Sequence, residues 1–119
     1  MNAINLAEKF AKVPGRYVPR IVGELNGQYV KLVKIEGPFV WHSHANEDEM
    51  FLVVKGAFRM EFRDQNVDLK EGEFVIVPRG VEHRPVADAE CHVLLFEPNT
   101  TLNTGNAPGA LTQETLEWV

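Results

Sequence analysis

The middle of the chain alternates between short apolar runs and turn-forming residues, as β-strands and their connections do. From about Gln28 to Glu97, runs of five to eight residues follow one another between turn dipeptides. In Ala57–Arg63 every second side chain is apolar and the others are charged, which indicates a strand with one buried face. Phe51–Val54 and Phe74–Val77 are apolar throughout, which predicts strands covered on both faces. The pattern predicts an all-β fold of seven or eight antiparallel strands in a sandwich or barrel.

Both ends of the chain carry the signals of a short helix. Asn5 suits an N-cap with Glu8 three positions later, and Pro14-Gly15 ends the helical pattern. At the other end we predict a helical turn over Gln113–Trp118 with Thr112 as its N-cap. The strands are expected to begin with a hairpin at Asn26-Gly27. The predicted organisation is an N-terminal helix and lead-in over 1–19, a barrel over 20–97, and a polar tail with a short helix over 98–119.

Composition narrows the class of protein. A chain of 119 residues with 45% hydrophobic content is long enough for one domain with its own core. The net charge is −5 and no basic cluster occurs, so we expect no nucleic-acid partner. No apolar stretch reaches membrane-spanning length and the N-terminus does not resemble a signal peptide, so we expect no membrane partner and a cytoplasmic location. Cys91, the single cysteine, lies in an apolar run and is expected to be a buried structural thiol.

The histidines are the candidate metal ligands of this sequence. Three of the four histidines fall in two short segments. His42 and His44 are two positions apart, so on an extended strand both imidazoles point the same way and can bind one metal ion. His83 follows Pro78-Arg79-Gly80, where we predict a type I turn that brings the chain back towards the pair. His92, in a late apolar strand, is expected to be structural.

The carboxylate partner of the histidines is ambiguous from local physics. Glu47, Asp48 and Glu49 all follow the histidine pair closely. Glu49 would share a strand face with Phe51, and Asp48 would share the opposite face with Leu52. Both faces are apolar, so strand parity does not choose between them.

Two segments resemble the conserved motifs of the cupin superfamily. GPFVWHSHANEDEMFLVVKG, which begins at Gly37, resembles the first motif, G-x5-H-x-H-x3,4-E-x6-G, although one residue is missing after the first glycine. GEFVIVPRGVEHRPV, which begins at Gly72, resembles the second motif, G-x5-P-x-G-x2-H-x3-N, although Ala87 stands where the motif has asparagine. The match covers roughly Arg20 to Glu97.

The resemblance implies a fold and a ligand set. The fold would be a double-stranded β-helix, or jelly-roll barrel, with short helical segments at both ends of the chain and a metal near the mouth. The motif spacing selects Glu49 over its acidic neighbours. The implied metal ligands are His42, His44, Glu49 and His83. This donor set suits one divalent transition-metal ion, Zn, Mn, Fe, Ni or Co. Resemblance to small single-domain cupins also implies a homodimer, with Arg20–Leu25 and Trp118 as interface pieces.

Three functions are compatible with such a site. The first is a metal-dependent enzyme that uses Lewis-acid chemistry on a small oxygenated molecule such as a sugar or keto acid, as an isomerase, epimerase or lyase. The second is an Fe(II)-dependent dioxygenase. The third is a non-enzymatic metal-containing module that binds or senses a small ligand. The sequence identifies no general base, so the catalytic residues are unassigned. Strand parity predicts that the pocket is lined by Phe51, Phe58, Met60 and Phe62.

Overall fold

The computed structural model describes all 119 residues. It contains one short helix and eight strands. In chain order these are α1 (Leu6–Phe10), β1 (Arg20–Leu25), β2 (Gln28–Pro38), β3 (Glu49–Lys55), β4 (Ala57–Phe62), β5 (Asn66–Lys70), β6 (Phe74–Val77), β7 (His83–Pro98) and β8 (Glu117–Trp118). No helix is both long enough and apolar enough to span a membrane.

Two long antiparallel strands form the spine of the molecule. β2 and β7 pair from Gln28↔Pro98 to Pro38↔Val86, with a register shift near Gly37. The first part of β7 also pairs with β4, and its second part pairs with β3. β5 extends the sheet beyond β4, β6 extends it beyond β3, and β1 extends it beyond β2. Because β7 pairs with β4 and β3 in succession, the sheet folds over itself into a jelly roll, which confirms the predicted fold class.

The core lies inside this folded sheet. A cluster of fourteen buried residues fills it, with side chains from β2, β3, β4 and β7. A smaller cluster lies where α1 covers the outer side of the sheet, and it contains Phe10, Val13, Val22 and Leu32. The Asn5 side chain accepts a hydrogen bond from the Glu8 backbone N–H at 2.9 Å, so the predicted N-cap is confirmed.

Two predicted turns have different outcomes. Asn26 and Gly27 both have positive φ, 51° and 75°, as a type I′ hairpin between β1 and β2 requires. At the second turn the Val81 N–H donates to the Pro78 carbonyl at 3.2 Å, so Pro78 is the first residue of the turn. Gly80 is then its third residue, with φ 81°, which is typical of a type II turn. The predicted type I turn is therefore wrong, although the reversal itself is present.

β6 is exposed on one face. The side chains of Phe74 and Ile76 are 58% and 56% exposed, whereas Val77 is buried. The prediction that Phe74–Val77 is covered on both faces is therefore wrong. β6 pairs only with β3, and no layer packs on the outside of this pair.

The predicted C-terminal helix is absent. Glu117–Trp118 forms β8 instead, which pairs in parallel with Arg20–Ile21 of β1. The Thr112 hydroxyl accepts a hydrogen bond from the Gly109 N–H and so stabilises a turn before the predicted helix position. An edge strand with free backbone groups is a stronger partner for this segment than its own weak helical pattern. The predicted boundaries of the barrel, at residues 19/20 with the lead-in and at residues 97/98 with the tail, stay a prediction.

Candidate metal centre

The structure brings together four residues that are distant in sequence. His42, His44, Glu49 and His83 are all buried, and their candidate ligand atoms lie within 4.8 Å of one another. Glu49 is the first residue of β3, and His83 is the first residue of β7. His42 lies between β2 and β3 and forms an isolated β-bridge with His83. Each donates its backbone N–H to the other's carbonyl, at 3.1 and 2.9 Å. His44 follows in a loop rather than in a regular strand.

Two imidazole rings are oriented by backbone carbonyls. The Nδ1 atom of His42 lies 2.9 Å from the Val40 carbonyl, and that of His83 lies 2.9 Å from the Val81 carbonyl. In a neutral ring this contact places the proton on Nδ1 and leaves a lone pair on Nε2. Metal-binding histidines are commonly held in this way.

Three atoms at the centre of the cluster have no hydrogen-bond partner. They are His44 Nε2, His83 Nε2 and Glu49 Oε1, all buried. The Glu49 oxygen lies 2.8 Å from His44 Nε2 and 3.2 Å from His83 Nε2. These distances are short, yet the arrangement does not satisfy hydrogen-bond geometry. Unpartnered buried polar atoms are rare because they cost free energy. A cation among them would accept all three lone pairs, so the residues fit a metal ion.

The electrostatics of the cluster suit a cation. Burial, followed by the neighbouring His83, lowers the pKa of His42 to about 4, so its ring is neutral near pH 7. Burial raises the pKa of Glu49, but the polar side chains of Glu97, His44 and His83 beside it outweigh burial and hold the pKa well below its usual range. A neutral imidazole and an ionised carboxylate are the forms that bind metals.

A second buried carboxylate, Glu97, lies beside the cluster and was not predicted. Its side chain is 2% exposed, and its Oε1 atom forms an ion pair at 2.9 Å with Lys31 Nζ, whose side chain is 1% exposed. The pairing of Met50 with Phe96 makes Glu97 the neighbour of Glu49 across β3 and β7. Burial and the adjacent Glu49 raise the pKa of Glu97 well above its ordinary value. The sequence signal that could have found Glu97 is strand alternation, since Lys31 and Glu97 occupy inward positions of their strands.

A cavity of about 40 Å³ opens beside this cluster. His42, Glu49 and Glu97 line it together with Tyr17 and Asn103. Its remaining walls are apolar and include Val33, Ile35, Phe39, Phe51, Val93 and Leu95. Of the four residues predicted from parity, only Phe51 lines this cavity. Phe58 faces a separate cleft, and Met60 and Phe62 pack with the core cluster, so those three predictions are wrong.

The C-terminal segment packs against the histidine loop. Ser43 and Asn106 exchange two hydrogen bonds, Ser43 N–H to Asn106 Oδ1 at 2.8 Å and Asn106 N–H to the Ser43 carbonyl at 3.1 Å. Thr101 and Thr104 of the same segment are buried. The predicted polar tail therefore supports the site on the side of His44.

The other candidate residues lie outside the cluster. Glu47 accepts a hydrogen bond from Thr100, and the exposed Asp48 pairs with Arg79. His92 stacks on Phe10 with ring centroids 4.5 Å apart, which agrees with a structural role. Cys91 is fully buried, and burial raises the pKa of its thiol to about 11.

Comparison with known proteins places the chain among relatives of the same architecture. The family model described as "Cupin domain" matches residues 29–97. The uncharacterised protein YdbB of Bacillus subtilis is 33% identical over 64 residues, which are 53% of this chain and 57% of YdbB. An uncharacterised protein of Aquifex aeolicus is 36% identical over 57% of this chain and 58% of its own length. The match thus spans rather more than half of these curated relatives.

Solved structures resemble the chain over more of its length. A cupin-2 domain containing protein from Shewanella frigidimarina is 45% identical with a TM-score of 0.80, over 82% of this chain and 95% of the other. More distant structures include KdgF from Halomonas, 26% identical with a TM-score of 0.60 over 68% of this chain and 79% of KdgF. Hydroquinone 1,2-dioxygenase PnpCD is 21% identical with a TM-score of 0.65, over 76% and 69% of the two chains, and shares the fold alone.

Proposed function

The chain belongs to the cupin family, and we propose that it binds one divalent transition-metal ion through His42, His44, Glu49 and His83. The observation that carries this proposal is the group of three buried, unpartnered ligand atoms at the centre of the cluster. The donor set of imidazoles and one carboxylate suits Zn, Mn, Fe, Ni or Co.

We propose further that the protein is an enzyme acting on a small oxygenated molecule. A bound ion would supply Lewis-acid polarisation of a carbonyl or hydroxyl oxygen. The protein's own contribution is orientation and exclusion of water. Backbone carbonyls hold the rings of His42 and His83, and apolar walls, among them Phe39 and Phe51, would limit the access of water to the ion.

Metal content tests the metal site. Protein purified without added metal should carry about one equivalent of a transition metal by elemental analysis, since the four ligands form one site. His42→Ala and His83→Ala should each lose most of it, because each removes a buried ligand. His92→Ala is the matched control: it removes a histidine outside the cluster and should leave metal content unchanged. Equal metal content in all four proteins contradicts the proposal.

Two other functions share the same ligands and are separated by different measurements. An Fe(II)-dependent dioxygenase is the second candidate, since the donor set also suits iron. Protein reconstituted anaerobically with Fe(II) should then consume oxygen with catechols or β-diketones, and absence of uptake with all of them excludes this candidate.

A non-enzymatic binding or sensor module is the third candidate. It is favoured if a ligand binds tightly and is recovered chemically unchanged.

We propose that the protein forms a homodimer through the exposed face of β6. Phe74 and Ile76 lie opposite Leu52 and Met50 of β3, so the four side chains form one apolar strip. The alternative interface near Trp118 is less suitable, because β8 already pairs with β1 within the chain. Light scattering after size exclusion should give a dimer mass for the wild type and a monomer mass for Phe74→Glu/Ile76→Lys. A wild-type monomer at micromolar concentration contradicts the proposal.

A further inference from the structure

The metal-binding cluster is covered in this conformation. Its four candidate ligands are almost completely buried, with exposed fractions between 0% and 4%. The cavity beside them measures about 40 Å³, whereas ligand pockets are commonly larger than roughly 300 Å³. A buried water needs about 10–15 Å³, so this cavity admits only a few non-hydrogen atoms. A substrate of ordinary size reaches the cluster only if a wall of the cavity moves.

One wall is less firmly tied to the sheet than the others. Most of the cavity wall belongs to β2, β3 and β7, which are held by the hydrogen bonds of the sheet. Tyr17 lies before β1, but its N–H donates to the Lys34 carbonyl and its hydroxyl to the Gly37 carbonyl. Asn103 belongs to residues 99–116, which form neither helix nor strand. We call these residues the lid segment.

The lid segment is bonded mainly to itself. The Asn103 side chain donates to the Leu111 carbonyl and accepts from the Gln113 N–H, each at 2.8 Å. The hydroxyl groups of Thr104 and Thr112 lie 2.7 Å apart. Compact surface loops that are packed by their own side chains behave as units. The lid segment can therefore move as one body without losing these bonds.

A seam separates the lid segment from the histidine loop. It is a cleft of about 240 Å³, with Ser43 and His44 on one side and Thr100 and Asn106 on the other. The two sides are joined by the reciprocal hydrogen bonds of Ser43 and Asn106, and by the Thr100 hydroxyl, which donates to Glu47. The lid segment forms a wall of the inner cavity as well. Parting the seam therefore joins the cleft to the cavity.

We propose that the lid segment opens along the Ser43–Asn106 seam and so gives ligands access to the metal-binding cluster. This inference rests on the proposed metal site. Both ends of the segment are fixed, by the pairing of β7 with β2 and of β8 with β1, so it hinges rather than detaches. The closed state is held by the seam and by Leu111, which packs against the main core cluster. Closure would exclude water from the ion.

The rate of metal release measures how readily the lid opens. Co(II)-loaded protein loses its visible absorption as excess EDTA removes the metal. Asn106→Ala removes the acceptor of the Ser43 N–H and should accelerate release about two- to tenfold, the effect of one hydrogen bond. Leu111→Ala removes the apolar anchor and should accelerate it about tenfold. Asn99→Ala is the matched control, since it removes an asparagine bond to Glu24 at the fixed end of the segment, and should leave the rate unchanged.

Hydrogen exchange shows whether the opening is local. The amide N–H groups of Ser43 and Asn106 are hydrogen-bonded only across the seam. NMR should therefore give both amides the same protection factor, below that of the amides in β7. Leu111→Ala should lower both protection factors about tenfold and leave those of β7 unchanged. A variant that is merely less stable would lose protection in β7 as well.

The outcomes distinguish the lid from the metal site. Release at the wild-type rate in both Asn106→Ala and Leu111→Ala, with unchanged cobalt content, overturns the lid and leaves the metal site standing. Seam amides that are as strongly protected as those of β7 also overturn the lid. A wild-type protein that binds neither cobalt nor any other divalent metal overturns the proposed function, and this inference with it.

Discussion

At Gly105 the backbone of the C-terminal segment lies directly against the loop that holds His44. A Cβ atom at this position would collide with the carbonyl oxygen of Ser43 and approach His44 Nδ1 to 3.1 Å. The φ of 51° also disfavours any other residue. We expect Gly105→Ala to lower the free energy of unfolding by about 1–3 kcal/mol, and to weaken metal binding because His44 must shift.

Urea unfolding and metal titration of the same preparations measure both effects. Gly109→Ala is the matched control, since a Cβ there meets nothing within 4 Å and φ is not positive. It should resemble the wild type in stability and metal affinity. If Gly105→Ala behaves like this control, the C-terminal segment does not support the site.

The choice among the three acidic residues shows what the sequence could and could not predict at this scale. Local alternation left Glu47, Asp48 and Glu49 equivalent, and only the motif spacing selected Glu49. In the structure Glu49 is buried because β3 pairs with β6 on one side and β7 on the other, from its first residues onward. That register depends on strands far away in sequence, so parity within one segment cannot reveal it. Parity places Glu97 on the inward face of β7, but it does not show that Glu97 lies beside Glu49, because that depends on the register of β3 against β7.

At the scale of elements, β8 is a two-residue strand whose contribution can be measured. The rings of Trp118 and Tyr29 pack edge to face, with their centroids 5.9 Å apart. The Val119 N–H donates to the Ile21 carbonyl at 3.1 Å. We expect Trp118→Ala to reduce the free energy of unfolding by about 1 kcal/mol, the size of one aromatic pair with modest burial. A double-mutant cycle with Tyr29→Ala should give a coupling energy of about 0.5–1.5 kcal/mol, and a coupling near zero contradicts the pairing.

The elements that were predicted correctly are those specified locally. The hairpin at Asn26-Gly27 and the cap at Asn5 depend on residues a few positions apart, and both are present. The wrong predictions for the C-terminal helix and for β6 concern segments whose structure depends on distant partners. Glu117–Trp118 pairs with β1, about a hundred residues earlier in the chain, and Phe74 is exposed because no layer covers β6. Apolar composition alone cannot show whether such a layer exists.

At the scale of the whole molecule, the metal-binding cluster makes the free energy of unfolding depend on pH. The lowered pKa of His42, about 4 against an ordinary value of 6.5, means that the unfolded chain binds a proton more readily than the folded protein. The contribution of His42 is therefore fully present above about pH 6.5 and is lost as the pH falls towards 4. Between pH 7 and pH 5 we expect a loss of about 2 kcal/mol from this residue.

Urea unfolding of metal-free wild type and His42→Gln in EDTA at pH 7 and pH 5 measures this loss as the difference between the two proteins, since Glu97, with its raised pKa, contributes in the opposite direction in both. The window lies above that of Glu49, whose lowered pKa removes stability only below its ordinary value of 4.5. His42→Gln should show a smaller decrease between the two pH values, because it has no proton to gain. Added metal should raise stability at pH 7 and make its fall towards pH 5 steeper, since protons compete for the imidazoles. Equal pH dependence in wild type and His42→Gln contradicts the assignment of the effect to His42.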